Sequence, residues 1–356
     1  MISLRELLED MMKNDASDLH LTAGLPPMYR VDGHLMASRF ETLSPEETRQ
    51  LAYSVLNDEQ KKTFENNREL DLSFGVQGMS RFRANVYVQR GVTTMAVRKI
   101  PYEILDFHKL GLPPAVKKFA ELPRGLVLVT GPTGSGKTTT LASVIDFINQ
   151  SRKAHILTIE DPIEYVHHHK GCMVNQREIK SDTETFVNAL KYVLRQDPDV
   201  ILVGEMRDRE TIASAITIAE TGHLCLATLH TNSTFESINR IVDVFPSAQQ
   251  PQIRAQLAFV LEGVITQQLI PRYRAKGREM VSEVMVCTPA IKSLIRDDKV
   301  HQIYGIMQAG QKYGMQTMNQ SLYAAYANKR ISYEDAIGRS SDREELLKMI
   351  GDSVTV

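Results

Sequence analysis

The run Gly131, Pro132, Thr133, Gly134, Ser135, Gly136, Lys137, Thr138 fits the pattern G-x-x-x-x-G-K-T, with Thr139 next and an apolar stretch at 126–129 directly ahead of it. A strand feeding such a loop is the setting in which glycines let backbone N–H groups turn inward around phosphates. Lys137 can reach β/γ oxygens, and the Thr138 hydroxyl can ligate Mg²⁺. A helix over roughly 138–150 would point its positive end at the same anion. The spacing therefore predicts a site for a nucleoside triphosphate.

Holding phosphates is not hydrolysing them: a water must be positioned and the developing charge met. Val200-Ile-Leu-Val203 reads as a buried strand that ends in Gly204 and Glu205. In a doubly wound sheet that tip lies beside the phosphate loop. Gly204 stands where an aspartate is usual, so Glu205 is expected to serve the Mg²⁺ shell or orient water; a solvated strand-end acid is the plainer alternative. Thr158-Ile-Glu160-Asp161-Pro-Ile-Glu164 carries three carboxylates in five residues, costly unless a cation or polarised water compensates. Glu164 is the expected water-activating base, with Glu160 and Asp161 shaping the loop. His223 and His230 bracket a third apolar strand, and His230, at its C-terminal tip, is placed to sense a γ-phosphate; either histidine could also be structural. His167, His168 and His169 cannot share one strand or helix face, so a solvated loop is expected there rather than a metal tract. An arginine must meet the γ-phosphate charge. Arg195 and Arg207 flank the Glu205 strand, while Arg81, Arg83, Arg90 and Arg98 lie on consecutive strands of the first hundred residues. Arg83 and Arg98 are the candidates to reach a nucleotide on a neighbouring subunit, which would make an oligomer obligatory; as plain sheet-surface charges they need no explanation.

The elements that must position these groups are readable. A chain of 356 residues suggests about two domains, and 42% apolar residues allow ordinary cores. Lys+Arg (42) and Asp+Glu (43) nearly cancel, leaving no basic track for nucleic acid or an anionic membrane. Cys172, Cys225 and Cys287, odd in number and far apart, imply neither disulfides nor metal and fit a reducing cytoplasm. No apolar run approaches the ~18 residues of a membrane span, and the N-terminus lacks a signal-peptide core. Residues 1–100 read as a small α+β module: a capping box at Ser3 and Glu6, extended pieces at 19–22 and 28–31 around an Asp32-Gly33 turn, a helix opened by Ser44-Pro45, and strands at 70–76, 81–90 and 93–100. Three prolines in 101–114 mark a linker. From 115 to 288 strands and helices alternate as in a parallel α/β sheet, with a helix over 183–195 and another over 209–219. From 289 to 356 the pattern turns helical and polar.

The phosphate loop, the acidic segment 158–164, Arg195-Gln-Asp-Pro-Asp-Val-Ile-Leu-Val-Gly-Glu205-Met-Arg-Asp208 and Thr221-Gly-His…Thr-Leu-His-Thr-Asn232 resemble, in order, the Walker A, Asp box, atypical Walker B and His box of the type II/IV secretion ATPase superfamily. The chain starts almost at once with Ser17-Asp18-Leu19-His20-Leu21, without the long N-terminal extension of assembly and secretion members. Ala290-Ile-Lys-Ser-Leu-Ile-Arg-Asp297 resembles the AIRNLIRE segment of pilus-retraction members, with Lys292, Ser293 and Asp297 in place of Arg, Asn and Glu. The resemblance implies a RecA-like P-loop ATPase domain, a smaller PAS-like N-terminal domain and a C-terminal helical subdomain. It further implies a homohexameric ring that hydrolyses ATP with Mg²⁺, held by Thr138 and Glu205, and that docks on an inner-membrane pilus platform protein at the cytoplasmic face, with the pilus fibre as load. Arg83 and Arg98 match the family's paired N-domain arginines, and Glu164 and Glu205 its Asp-box and Walker B acids. An accessory retraction paralogue, an assembly or secretion ATPase, and a nucleotide-gated scaffold with little turnover are the alternatives.

Overall fold

The computed structural model describes residues 2–31, 33–100 and 104–352. The chain divides into two compact units, Met1–Glu103 with Glu164–Val166, and Ile104–Ile163 with His167–Val356. Asp32 of the expected turn and 101–103 of the expected linker lie outside the described residues.

In the first unit six strands form one antiparallel sheet: β1 (Asp18–Leu21), β2 (Met28–Val31), β3 (His34–Ala37), β4 (Glu69–Val76), β5 (Ser80–Gln89) and β6 (Val92–Lys99), in the spatial order β3-β2-β1-β6-β5-β4. Three helices accompany it, Leu4–Lys13, Pro45–Tyr53 and Asp58–Asn67, each opened by a capping box: Ser3 with Glu6, Ser44 with Glu47, Asn57 with Gln60. Each box satisfies backbone N–H groups that a helix start leaves open. The third helix escaped the sequence reading because it buries only Phe64 and carries almost no apolar periodicity. Leu7, Leu8, Met11, Leu19, Leu21, Phe82 and Met95 fill the core.

The second unit holds seven strands: β7 (Gly125–Thr130), β8 (His155–Glu160), β9 (Met173–Glu178), β10 (Val200–Val203), β11 (Leu224–Leu229), β12 (Leu261–Pro271) and β13 (Arg278–Val286), ordered β13-β12-β7-β11-β10-β8-β9. All neighbours run parallel except the β12/β13 pair. Alternate residues of each central strand feed separate cores: Leu126, Leu128, Ile201 and Val203 one, Val127, Val129, Val200 and Leu202 the other. Burial on both faces is why these strands read as unbroken apolar runs. Helices Lys137–Ser151 and Arg209–Glu220 fall close to expectation. The helix expected over 183–195 spans only Phe186–Val193, because Thr185 caps its start and a 3₁₀ turn follows. Strand β9 went unread; its burial does not alternate cleanly and four of its six residues are polar. Residues 104–114 pack on this unit rather than trailing free, with Phe107 stacked on Phe147 at 5.1 Å between ring centroids. After Pro289 the chain is helical, and Met318, Leu322, Ile331 and Leu346 form a satellite core with Ile270 and Val281. The three cysteines are free and buried, and burial pushes the Cys225 thiol up to about 12, leaving it inert as a nucleophile. Among the described residues no helix is long and apolar enough to cross a membrane.

Candidate active site

Topology brings the candidate groups to one edge. β7, β11 and β10 are parallel neighbours, with Thr130 opposite Leu229 and Val203 opposite Ala227. The chain therefore leaves the sheet at Gly131, His230 and Gly204-Glu205 in adjacent positions, at the carboxyl ends where ligands of such sheets bind. In the loop, Gly131, Gly134 and Gly136 have φ of 139°, 79° and 89°, a region closed to ordinary side chains. Pro132, Thr133 and Gly134 are exposed at the rim, Ser135 is buried, and Thr138 and Thr139 are half-buried in the first turn of the helix that Gly136 precedes.

Lys137 is buried, and its Nζ donates to the loop's own carbonyls, Gly131 O at 2.8 Å and Pro132 O at 3.1 Å, and lies 3.4 Å from His230 Nδ1. An ammonium can only donate, so Nδ1 accepts, and this leaves the proton on Nε2. Nε2 sits 3.2 Å from Glu205 Oε1, and Glu205 Oε2 is 2.7 Å from Arg207. A continuous polar chain thus runs Lys137–His230–Glu205–Arg207, linking the phosphate-loop lysine to the strand-end acid. Burial pushes the Glu205 carboxyl upward, but the hydrogen bond and charge of Arg207, with His230 beside it, outweigh that and hold it below its usual range. Glu205 is thus an ionised acceptor at neutral pH, as a role toward Mg²⁺ or water requires.

Position 204, where the sequence has no aspartate, is closely packed. A Cβ on Gly204 would lie 3.0 Å from Ile159 O and 3.2 Å from Glu160 Cα, backbone atoms of the adjacent β8. Glu160 itself turns inward, accepting from the Thr158 hydroxyl at 2.6 Å and the Gln176 amide at 3.2 Å. Asp161 and Glu164 are exposed. Protein donors thus satisfy Glu160, while Asp161 and Glu164 are left open to solvent.

The histidines sort by environment. His223 is the strand-start residue, with Nδ1 near Thr221 Oγ1 (3.1 Å) and Ile218 O (3.2 Å), an end-of-helix role at the far edge of the sheet from the loop. In the triple tract His168 and His169 are exposed as expected, but His167 is buried. No metal cluster forms among the described residues. Desolvation lowers the His167 pKa from 6.5 to about 4, against the attraction of Asp146 and reinforced by Lys170 and His168. The unfolded chain takes up this proton near pH 6.5 and the folded chain only near pH 4. Stability is therefore complete above pH 6.5 and is lost as pH falls toward 4, by up to roughly 3 kcal/mol. Denaturant melts across this range should show that slope, and His167→Gln should flatten it; an unchanged slope would refute the assignment.

Glu164, Arg83 and Arg98 belong to the first unit. Arg83 and Arg98 face each other across β5 and β6 and are exposed. Like charges directly opposite on a sheet are unfavourable, and the register relieves one of them: Asp18 on β1 pairs with Arg98, Oδ1 to Nε at 2.7 Å. The Arg98 side chain nonetheless stays 71% exposed. The sequence reading missed Asp18 as a site residue, although its place two residues before His20 in a short alternating strand marks it as sharing that residue's face. It also missed Gln267 and the strand β12 that carries it.

The family described as type II/IV secretion system protein matches residues 1–337. The chain is 49% identical over 335 residues to the type IV pilus retractation ATPase PilT of Pseudomonas aeruginosa, covering 94% of this chain and 97% of that one. It is 42% identical over 349 residues to the type IV pilus ATPase PilU of the same organism, covering 98% and 91%. A crystal structure of the pilus retraction motor PilT with bound ADP superimposes with a TM-score of 0.93 at 49% identity, covering 98% of this chain and all of that one. The chain belongs to the type II/IV secretion system protein family of ATPases.

Proposed function

We propose that this protein is an ATP-hydrolysing motor that powers type IV pilus retraction, acting as a homohexameric ring at the cytoplasmic face of the inner membrane through a pilus platform protein. The observation that carries the catalytic part is the chain Lys137–His230–Glu205 at the carboxyl edge of the sheet, beside a phosphate loop. Gly131 through Thr139 bind the phosphates, and Lys137 exchanges the Gly131 and Pro132 carbonyls for β/γ oxygens. Thr138 and Glu205 are the residues that would hold Mg²⁺, Glu205 through water; the ion, when bound, neutralises phosphate charge. Glu164 orients and deprotonates the attacking water, His230 reports the γ-phosphate to Glu205, and Arg83 and Arg98 reach the site from the neighbouring subunit. ATP favours the closed arrangement because only it supplies γ-phosphate contacts, and product release reopens it. The likeness to the ADP-bound PilT structure and to the pilus retractation ATPase supports the load as a pilus.

An accessory retraction ATPase is the second reading, favoured by the 42% identity to PilU. Deleting the gene and scoring pili and twitching separates these readings. A principal retraction motor gives over-piliated, non-twitching cells. An assembly motor gives bald cells, and an accessory one leaves twitching largely intact; either result overturns the proposal.

A further inference from the structure

The inside of the phosphate loop is held by a residue that belongs to none of its motifs. Strand β12 runs parallel to β7, with Thr266 opposite Thr130 and their hydroxyls 2.7 Å apart. Where β7 turns away into the loop, β12 continues to Pro271, and its first residue beyond the pairing is Gln267, only 1% exposed. It meets the loop at three points. Its Nε2 donates to Ser135 O at 2.7 Å. Its main-chain carbonyl fills the space where a Cβ on Gly131 would stand, and its amide nitrogen lies 3.2 Å from where a Cβ on Gly136 would stand. Gln267 thus crowds the loop at Gly131 and Gly136, where the backbone conformation already favours glycine.

The orientation of the amide is fixed, because turning it over would set Oε1 against the Ser135 carbonyl, acceptor against acceptor. The far end, Oε1, is buried without a hydrogen-bond partner among the described residues, as is Ser135 Oγ. A buried acceptor left unpaired is unfavourable. The side chain is therefore not placed for its own satisfaction; what it achieves is the tie to Ser135 O. That tie keeps the Ser135 carbonyl facing the sheet, so that the peptide's other side and the following N–H groups face the phosphates.

We propose that Gln267 is a positioning residue for the phosphate loop, holding it in its anion-binding shape before nucleotide arrives and so setting nucleotide affinity. The proposal rests on the assignment of Gly131–Thr138 as the phosphate site. Pre-shaping a loop removes an ordering penalty from binding, so its loss is read in affinity and KM more than in kcat.

The test measures ADP binding by calorimetry, ATP turnover and ligand-free melting temperature for the full chain and for Gln267→Leu and Gln267→Glu. Gln267→Leu keeps bulk and removes the donor; Gln267→Glu keeps shape and replaces the donor by an acceptor, and it carries the test if the leucine variant does not fold. About tenfold weaker ADP binding in each variant is expected, the strength of one buried hydrogen bond, with KM for ATP rising in step. ADP affinity equal to wild type in a folded variant overturns the proposal even if its melting temperature falls, since that is what a purely structural residue would do. A fall in kcat at unchanged KM also overturns it. Failure of the wild-type chain itself to bind ADP would instead strike the underlying reading of the loop.

Discussion

Lys137→Ala is expected to reduce ATP turnover by at least about a hundredfold, because removing one donor aimed at developing charge costs ~10²–10³ in rate. The buried ammonium has its positions defined by Gly131 O, Pro132 O and His230 Nδ1, so no neighbouring cation slides in to replace it. Its loss also takes away the donor that fixes the His230 tautomer, loosening the hydrogen bond to Glu205. Nucleotide binding should weaken as well. Glu164→Gln is expected to separate the two effects: nucleotide stays bound while phosphate release falls by ~10²–10⁴, the contribution of a positioned general base. Steady-state phosphate release beside ADP affinity reads both. Wild-type rates in either variant would sink the assignment of the site, whereas negligible phosphate release from the unaltered protein would favour a scaffold over a motor.

The second expectation concerns ownership of the site. If Arg83 and Arg98 serve the neighbouring subunit, a protein bearing Arg83→Gln and Arg98→Gln should lose ~10³–10⁵ in turnover, as for an arginine finger. Lys137→Ala protein is inactive for a different reason. Mixed one to one under conditions of subunit exchange, the two inactive proteins should recover activity. About a quarter of the interfaces then join an intact loop to intact arginines, by random assortment around a cyclic ring. No recovery, with mixed rings demonstrated, would place the arginines in their own subunit's site or outside catalysis. The double substitution removes the Arg98 partner of Asp18, but Asp18 keeps Ser17 Oγ at 2.7 Å and Arg30 nearby, which limits the structural cost.

The sequence disclosed the second unit's central strands almost to the residue, because strands buried on both faces leave unbroken apolar runs: Val200–Val203 and Leu224–Leu229 are visible by eye. Elements whose stability comes from partners left weaker traces. β12 mixes Glu262, Gly263 and Gln267 into its apolar pattern, and Gly263 is there to admit the ring of Phe119 from a helix far back in the chain. Nothing local announces such a contact. The site followed the same rule. The loop and the acid at 205 could be read because their chemistry demands particular residue types in series. The bridge from Lys137 through His230 to Glu205 could not, since it depends on β11 lying between β7 and β10, an order that no spacing encodes. His167 was misjudged for a similar reason: its neighbour Gln176 comes from a strand that the pattern hid.

Gly204 limits how this site could have arisen and how it could be remade. With backbone of β8 at 3.0–3.2 Å from the missing Cβ, a side chain there needs two hydrogen-bonded strands to give slightly. An aspartate at that position therefore asks the backbone of β8 to give by a few tenths of an ångström, a shift that its hydrogen-bonded neighbours must share. The acid stands one residue further along, on a longer side chain, as the alternative open to a sheet packed this tightly. A designer wishing to move the carboxylate would have to begin with the strands.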